Sequence, residues 1–380
     1  MNAPDHPPHA VPALAAWLTR QAPATATLRL RVADRRFLVK SNAPALVKTL
    51  AGYFHDFLGD EGDPDIEVTA LEMPAPALGL TFRDWPRDPG KTGRKDAFAD
   101  TDGGRVIHKV RTGMQFLLGN GQRIAFGPCL DNPNQVINFI VSQFITARLN
   151  TGWQLCHAAG VTDGKRGITI AANSGGGKSS LALHLMSRGL SFVSNDRLLL
   201  NSVGGRAWMA GVPKCPRINP GTIVNNRDLH DMLPAARMQA LTSLPPAELW
   251  ALEEKYDVDI DRCFGPDRWA TEAPLHRVLV LNWSLEGESE IAFRQVDLRA
   301  RPDLLAAIMK APGPFHLPRP EAGMAVGTAV APGPYLDLLD RVPVYEATGR
   351  VDFDAAVAFC LDSLPEPEQA PPASVAGAKG

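Results

Sequence analysis

Lys178 follows three consecutive glycines, Gly175, Gly176 and Gly177, and precedes two hydroxyls, Ser179 and Ser180. An apolar run, Ile168-Thr169-Ile170-Ala171-Ala172, enters this turn through Asn173 and Ser174, and Leu181-Ala182-Leu183-His184-Leu185-Met186 leaves it. The order is strand, loop, helix, which a phosphate-binding loop requires. Glycines there let backbone N–H groups close round a polyphosphate with no Cβ in the way. The helix that starts near Lys178 turns its positive dipole end toward the same anion. In this arrangement Lys178 reaches the β- and γ-phosphates and the Ser179 hydroxyl sits on Mg²⁺. The expected ligands are therefore ATP and Mg²⁺, held by residues 173–180. One departure is Ala172, which stands where the usual pattern opens with glycine.

Further polar groups lie at intervals that a sheet could gather. His157 stands about ten residues before the apolar run, and Asn195-Asp196-Arg197 follows a second apolar stretch, Leu190 to Val193. Asp196 falls just past a strand, at the carboxyl edge where open α/β sheets bind ligands. A carboxylate there can hold Mg²⁺ or accept a proton, and His157 could pair with it and set its proton affinity. Lys214 and Arg217 flank Cys215-Pro216 in a Pro/Gly-rich loop, two cations suited to a transferred phosphate or an acidic substrate. Asp257, Asp259 and Asp261 alternate with apolar residues and would share one face if extended, as a metal site, a basic-segment site or a solvated edge.

Elements must position these groups. Residues 12–20 read as a short helix, 27–32 and 36–40 as strands, 43–58 as a helix, and 66–68 as a further strand. Residues 73–97 are rich in Pro, Gly and charge and read as a linker or a long loop. A hairpin over 105–118 and a strand at 123–126 follow. Asn132-Pro133 supplies a cap and a first helical position for a buried helix to Leu149. The strand at 190–193 after the glycine-loop helix makes a βαβ unit and a parallel or mixed sheet. Later elements are a helix at 246–256, strands at 277–283 and 342–346, and a helix at 353–361. The expected organisation is a small α+β unit over 1–90, a recognition module with an unstructured start; a catalytic domain over 95–365; and an unstructured tail over 366–380.

Composition narrows the classes. The chain has 380 residues, 45% hydrophobic and 21% charged, enough for a sizeable core. Its net charge of −2 gives no basic field for nucleic acid. Five scattered cysteines without a Cys-x-x-Cys pair read as reduced thiols in a cytoplasmic protein. No apolar run approaches the roughly 18 residues of a membrane helix, and no signal peptide is visible. Self-association is left open.

His157-Ala158-Ala159-Gly160, Asn173 to Ser179, Ser187-Arg188-Gly189 and Ser194-Asn195-Asp196-Arg197 together resemble the catalytic core of the HPr kinase/phosphorylase family, and within it the subgroup called HprK-related kinase B. The likeness is close over 157–197, looser to about 365 and absent from the N-terminal unit. It implies an α/β fold, a mixed sheet with flanking helices related to phosphoenolpyruvate carboxykinase rather than to eukaryotic protein kinases. It also implies ATP-dependent transfer of the γ-phosphoryl group to a hydroxyl, a serine of a partner protein. Where that family has two adjacent aspartates, the first being its base, this chain has Asn195 and then Asp196. The resemblance thus leaves Asp196 or His157 as base, while the residues themselves offer Lys178 and Arg217 as phosphate-handling cations and Ser179 and Asp196 as metal ligands. The family's glutamate-rich metal-binding stretch is replaced by Lys214-Cys215-Pro216-Arg217-Ile218-Asn219. A nucleotide-binding pseudokinase or scaffold and a small-molecule kinase are the alternatives.

Overall fold

Alternating apolar and polar residues pair the first two strands, β1 (Ala26–Val32) and β2 (Arg35–Ser41), with Leu28, Leu30, Val32, Phe37 and Val39 buried. The computed structural model describes residues 7–86, 93–318 and 330–362. β3 (Ile66–Glu72) lies parallel to β2, and β8 (Gln122–Gly127) lies parallel to β3. The sheet continues antiparallel through β7 (Gln115–Gly119), β6 (Gly104–Lys109), β5 (Asp96–Thr101) and β4 (Arg83–Asp84), eight strands in all. Helix α1 (Val11–Gln21) packs on the face that carries Val106, Leu117 and Ile124. α2 (Pro44–Tyr53) and α3 (Pro133–Leu149) pack on the face that carries Ile107, Phe116 and Leu118.

The break expected between residues 90 and 95 runs through this sheet. β4 and β5 pair across it, and β3 joins β8. Part of the Pro- and Gly-rich stretch, Arg83–Asp84, is itself a strand of the sheet. The change from the first sheet to the second falls at α3.

The second sheet has the order β12–β10–β11–β17–β14–β13–β9. In sequence these are β9 (Gln154–Cys156), β10 (Ala158–Thr162), β11 (Gly167–Ala172), β12 (Ser191–Ser194), β13 (Leu198–Val203), β14 (Arg206–Ala210) and β17 (Glu272–Leu281). β19 (Val344–Thr348) lies parallel to β17, and β18 (Ala292–Gln295) pairs with β19. β11 and β17 are parallel and buried over Ile168 to Ala172 and Val278 to Leu281, which is why they read as near-continuous apolar runs. β15 (Arg217–Ile218) and β16 (Tyr256–Asp257) form a separate ribbon. The remaining helices are α4 (Lys178–Met186), α5 (Pro220–Val224), α6 (Ala235–Thr242), α7 (Pro246–Ala251), α8 (Ile260–Phe264), α9 (Pro302–Ile308), α10 (Gly333–Leu339) and α11 (Phe353–Asp362).

The architecture is mixed α/β. Three local expectations change. β12 runs parallel to β11 but does not touch it, because β10 lies between them, antiparallel to both. The Asn132 side chain does not cap α3; its amide donates to Pro128 O at 2.9 Å. The helix expected to reach Tyr256 stops at Ala251, and Tyr256 joins the ribbon. The five cysteines, all among the described residues, form no disulfide. No helix of the described residues is long and apolar enough to cross a membrane. The expected tail over 366–380 lies outside the described residues.

Candidate active site

β11 ends at Ala172 and α4 begins at Lys178, so the glycines occupy the carboxyl edge of the second sheet. Gly175 and Gly177 take φ of +81° and +90°, left-handed values that side chains rarely adopt. The loop is braced from outside: the Trp283 indole N–H donates to Gly176 O at 3.0 Å, and a Cβ on Gly177 would lie 3.0 Å from Phe353 Cζ. Asn173, Ser174 and Gly175 are exposed. Lys178 is buried, and its ammonium donates to Ala172 O at 3.0 Å and Asn173 O at 3.2 Å. Burial pushes its pKa down to about 8; Asp196 works against that and Lys310 adds to it. The Ser179 hydroxyl donates to Asn195 Oδ1 at 2.8 Å. The Ser180 hydroxyl instead meets Thr222 Oγ1 of α5 at 2.7 Å.

β12 delivers Asn195, buried, and then Asp196, whose φ of +64° is left-handed in a residue with a side chain. Such backbone strain survives only where surrounding structure holds it, and it clusters at functional sites. The Asp196 carboxylate lies 3.4 Å from His157 Nε2, so the expected pair forms. Lys310 Nζ lies 3.3 Å from the same oxygen and 3.4 Å from the other. Burial acts to raise the Asp196 pKa, but the His157 hydrogen bond and the Lys310 charge outweigh it and hold the carboxyl well below its usual range. The side chain is still 57% exposed, so water screens these charges considerably.

Sequence reasoning passed over Lys310. It is placed by backbone: Lys310 N donates to Leu155 O at 3.1 Å, and His157 N donates to Ile308 O at 2.8 Å. One strip of pairing thus delivers both partners of Asp196. A lone lysine after α9 carries no local mark of this, because the contact spans more than a hundred residues.

Arg217 does not join this group. It pairs with Asp257 at 3.1 Å across the β15–β16 ribbon, both side chains being roughly half exposed. Lys214 does turn inward; its ammonium donates to Asn138 Oδ1 of α3 at 2.6 Å. Burial, and then the Arg197 charge, push Lys214 down to about 8. The three alternating aspartates do not share a face, because α8 starts at Ile260. Asp257 holds Arg217, Asp259 caps α8 by accepting from Arg262 N at 3.0 Å, and Asp261 comes within 4.8 Å of ligand atoms of His55 and Asp56.

No family model and no curated protein matches this chain. Among solved structures, the Hpr(Ser) kinase/phosphatase from Coxiella burnetii is similar over 55% of this chain and 89% of its own, at 13% identity and a TM-score of 0.27. At that score the likeness carries no argument about the site.

Proposed function

We propose that this chain is an ATP-dependent phosphotransferase of the HPr kinase kind, moving a γ-phosphoryl group to a hydroxyl, with a serine of a partner protein as acceptor. The observation that carries the reading is Lys178: a buried ammonium at the mouth of a glycine loop, hydrogen-bonded only to two backbone carbonyls among the described residues. A cation desolvated without a carboxylate beside it is stabilised when polyphosphate arrives. Loop amides, Lys178 and the α4 dipole then face the charge that develops on the transferring group.

Magnesium fits the donors present. The Ser179 hydroxyl, oriented by Asn195 Oδ1, and the Asp196 carboxylate are hard oxygen ligands of the type it prefers. Bound there, it would neutralise charge on the phosphate oxygens. Asn195 cannot take a proton, and its role in this reading is to aim Ser179. Asp196 accepts the acceptor's O–H and His157 orients Asp196. In the transfer, the acceptor oxygen bonds to the γ-phosphorus while the bond to the β–γ bridging oxygen breaks. ADP keeps that electron pair, and the hydroxyl proton passes to Asp196 or water.

A second reading, a nucleotide-binding pseudokinase or scaffold, is favoured by Asp196 itself. A carboxylate held strongly ionised by His157 and Lys310 is a weak base. Calorimetry with Mg²⁺–ATP on wild type and Lys178→Ala tests nucleotide binding; loss of one charge-assisted contact costs about 1.5–3 kcal/mol, at least roughly tenfold in affinity. Equal binding by the two proteins would overturn the reading. Labelled ATP with cell extract, followed by mass spectrometry, then separates transfer from mere binding.

A further inference from the structure

His55 and Asp56 occupy the single 3₁₀ turn His55–Phe57 that follows α2, and Asp261 lies in the first turn of α8. One ligand atom from each, a ring nitrogen and two carboxylate oxygens, lies within 4.8 Å of the other two. The turn and the helix come from opposite halves of the chain, and both are anchored. Phe57 N donates to Phe54 O at 2.8 Å, and Gly59 N donates to Arg29 O of β1 at 3.0 Å. The Phe57 ring meets Trp269 edge-on at 5.0 Å. On the other side Asp259 caps α8, and Val258 and Ile260 are buried. Two fixed backbones thus bring the three side chains together.

The imidazole is already oriented. His55 Nδ1 lies 3.1 Å from Gly52 O, a carbonyl that can only accept. Nδ1 therefore carries a proton, and in the neutral ring Nε2 presents its lone pair. Nε2 stands 3.3 Å from Asp56 Oδ1. Two ligands of a tetrahedral zinc ion, each about 2.0–2.1 Å from the metal, stand roughly 3.3 Å apart. The pair already has that spacing, and Asp261, within 4.8 Å, is at most roughly 1.5 Å from it. Among the described residues no lysine or arginine comes within ion-pair distance of either carboxylate. Burial raises the Asp56 pKa, His55 works against it, and the Asp261 charge adds to it. Two carboxylates thus crowd one place with a single imidazole to balance them, and a divalent cation relieves their repulsion. Imidazole nitrogen with carboxylate oxygen suits zinc, whereas Mg²⁺ keeps to oxygen. The His55 and Asp56 side chains are 45% and 21% exposed, which gives an ion a way in and water access to it.

We propose that His55, Asp56 and Asp261 bind one zinc ion, with water in the fourth position, and that the ion ties the turn after α2 to α8. The site shares no residue with the glycine loop and stands or falls apart from the phosphotransferase reading. It fastens the first-sheet half of the chain to the second beside the Phe57–Trp269 and Tyr53–Cys215 contacts. Of the three alternating aspartates, Asp261 is the one that serves a metal, and its co-ligands come from the N-terminal half rather than from Asp257 and Asp259. An ion held between two segments of the folded chain adds to stability.

The test is calorimetry of Zn²⁺ into the full chain stripped with EDTA. Wild type takes up one equivalent more than His55→Gln, Asp56→Asn or Asp261→Asn, each of which removes one ligand. Excess Mg²⁺ leaves that equivalent in place. The melting temperature of wild type rises by a few degrees with zinc and falls back with EDTA, because an ion that binds only the folded chain stabilises it. Melts of the three variants confirm that they are folded and shift less. Equal zinc uptake by wild type and all three variants overturns the proposal. Uptake of the extra equivalent only at millimolar zinc is the behaviour of an acidic surface and also overturns it. Full displacement by Mg²⁺ overturns the assignment to zinc. Should a variant fail to fold, the wild-type melt decides alone: no rise with zinc overturns the site.

Discussion

Asn195 and Asp196 divide between them work that two carboxylates could share. The amide is tied to Ser179 at 2.8 Å, and the carboxylate is tied to His157 and Lys310 at 3.3–3.4 Å. Asp196→Asn keeps the shape but removes the charge and the proton acceptor. It is expected to slow single-turnover transfer from ATP by about 10²-fold, the scale of a lost general base, with much less change in nucleotide affinity. Asn195→Ala should be milder, since Ser179 loses only its orienting partner. Transfer by Asp196→Asn at the wild-type rate would remove Asp196 from the chemistry. Lys178 yields a pH dependence whose sign follows from its depressed pKa. In the free protein its ammonium loses its proton near pH 8, and bound phosphates raise that value, so the complex holds more protons than the free protein. ATP affinity should therefore be flat well below pH 8 and fall as pH rises through it, by at most about tenfold per pH unit. Calorimetry above pH 8 in buffers of different ionisation enthalpy should show proton uptake on binding. Affinity that rises with pH there would contradict the role of Lys178.

At the scale of elements, the glycine loop is the piece that sequence marked most clearly. An apolar strand, three glycines and a helix are adjacent in the chain, so local chemistry specifies all of it. Gly177 caps α4 in left-handed geometry against Phe353, whereas Gly175 has similar φ and open space around its missing Cβ. Gly175→Ala should show backbone strain alone, about 1–2 kcal/mol. Gly177→Ala adds a contact at 3.0 Å with a ring already packed on Trp283 at 5.2 Å, and should lower the melting temperature and ATP affinity more than Gly175→Ala does. Melting curves and calorimetry on the pair check this; equal effects would mean that Phe353 does not brace the loop. The pairing of His157 with Asp196 was also expected, although only Asp196 sits at the end of a recognisable apolar run. Lys310 was not, since its contact depends on which segments become neighbours, and β10 slipping between β11 and β12 leaves no local signature. Arg217 misled for the same reason: its partner Asp257 lies forty positions away on a two-residue strand.

At the scale of the molecule, α3 joins the two sheets into one packed body. Phe139 of α3 meets Phe116 of the first sheet and Phe315 at ring separations of 5.0 and 5.2 Å, and one continuous core runs from Leu28 to Phe315. Arg148, buried near the end of α3, contacts Asp34 in the β1–β2 turn at 2.9 Å and Glu272 of β17 at 2.5 Å. Tyr53 of α2 holds the loop that carries Lys214. The N-terminal strands therefore support the candidate site. A chain starting at Asp96 would strip β3 from β8, leaving an unpaired parallel edge, and would uncover the apolar face that α2 and α3 share. Burial of each large side chain in that face is worth about 1.5–3 kcal/mol, so the deletion removes many times the margin of a typical domain. The truncated chain is expected to lack a cooperative melt and to bind ATP poorly for want of a folded site. Arg148→Met in the full chain, which leaves Glu272 without its guanidinium, should be folded but less stable. If the truncated chain melts cooperatively at the full-length temperature and binds ATP equally well, the second sheet folds alone, and a domain boundary at residues 90–95 stands despite the shared sheet.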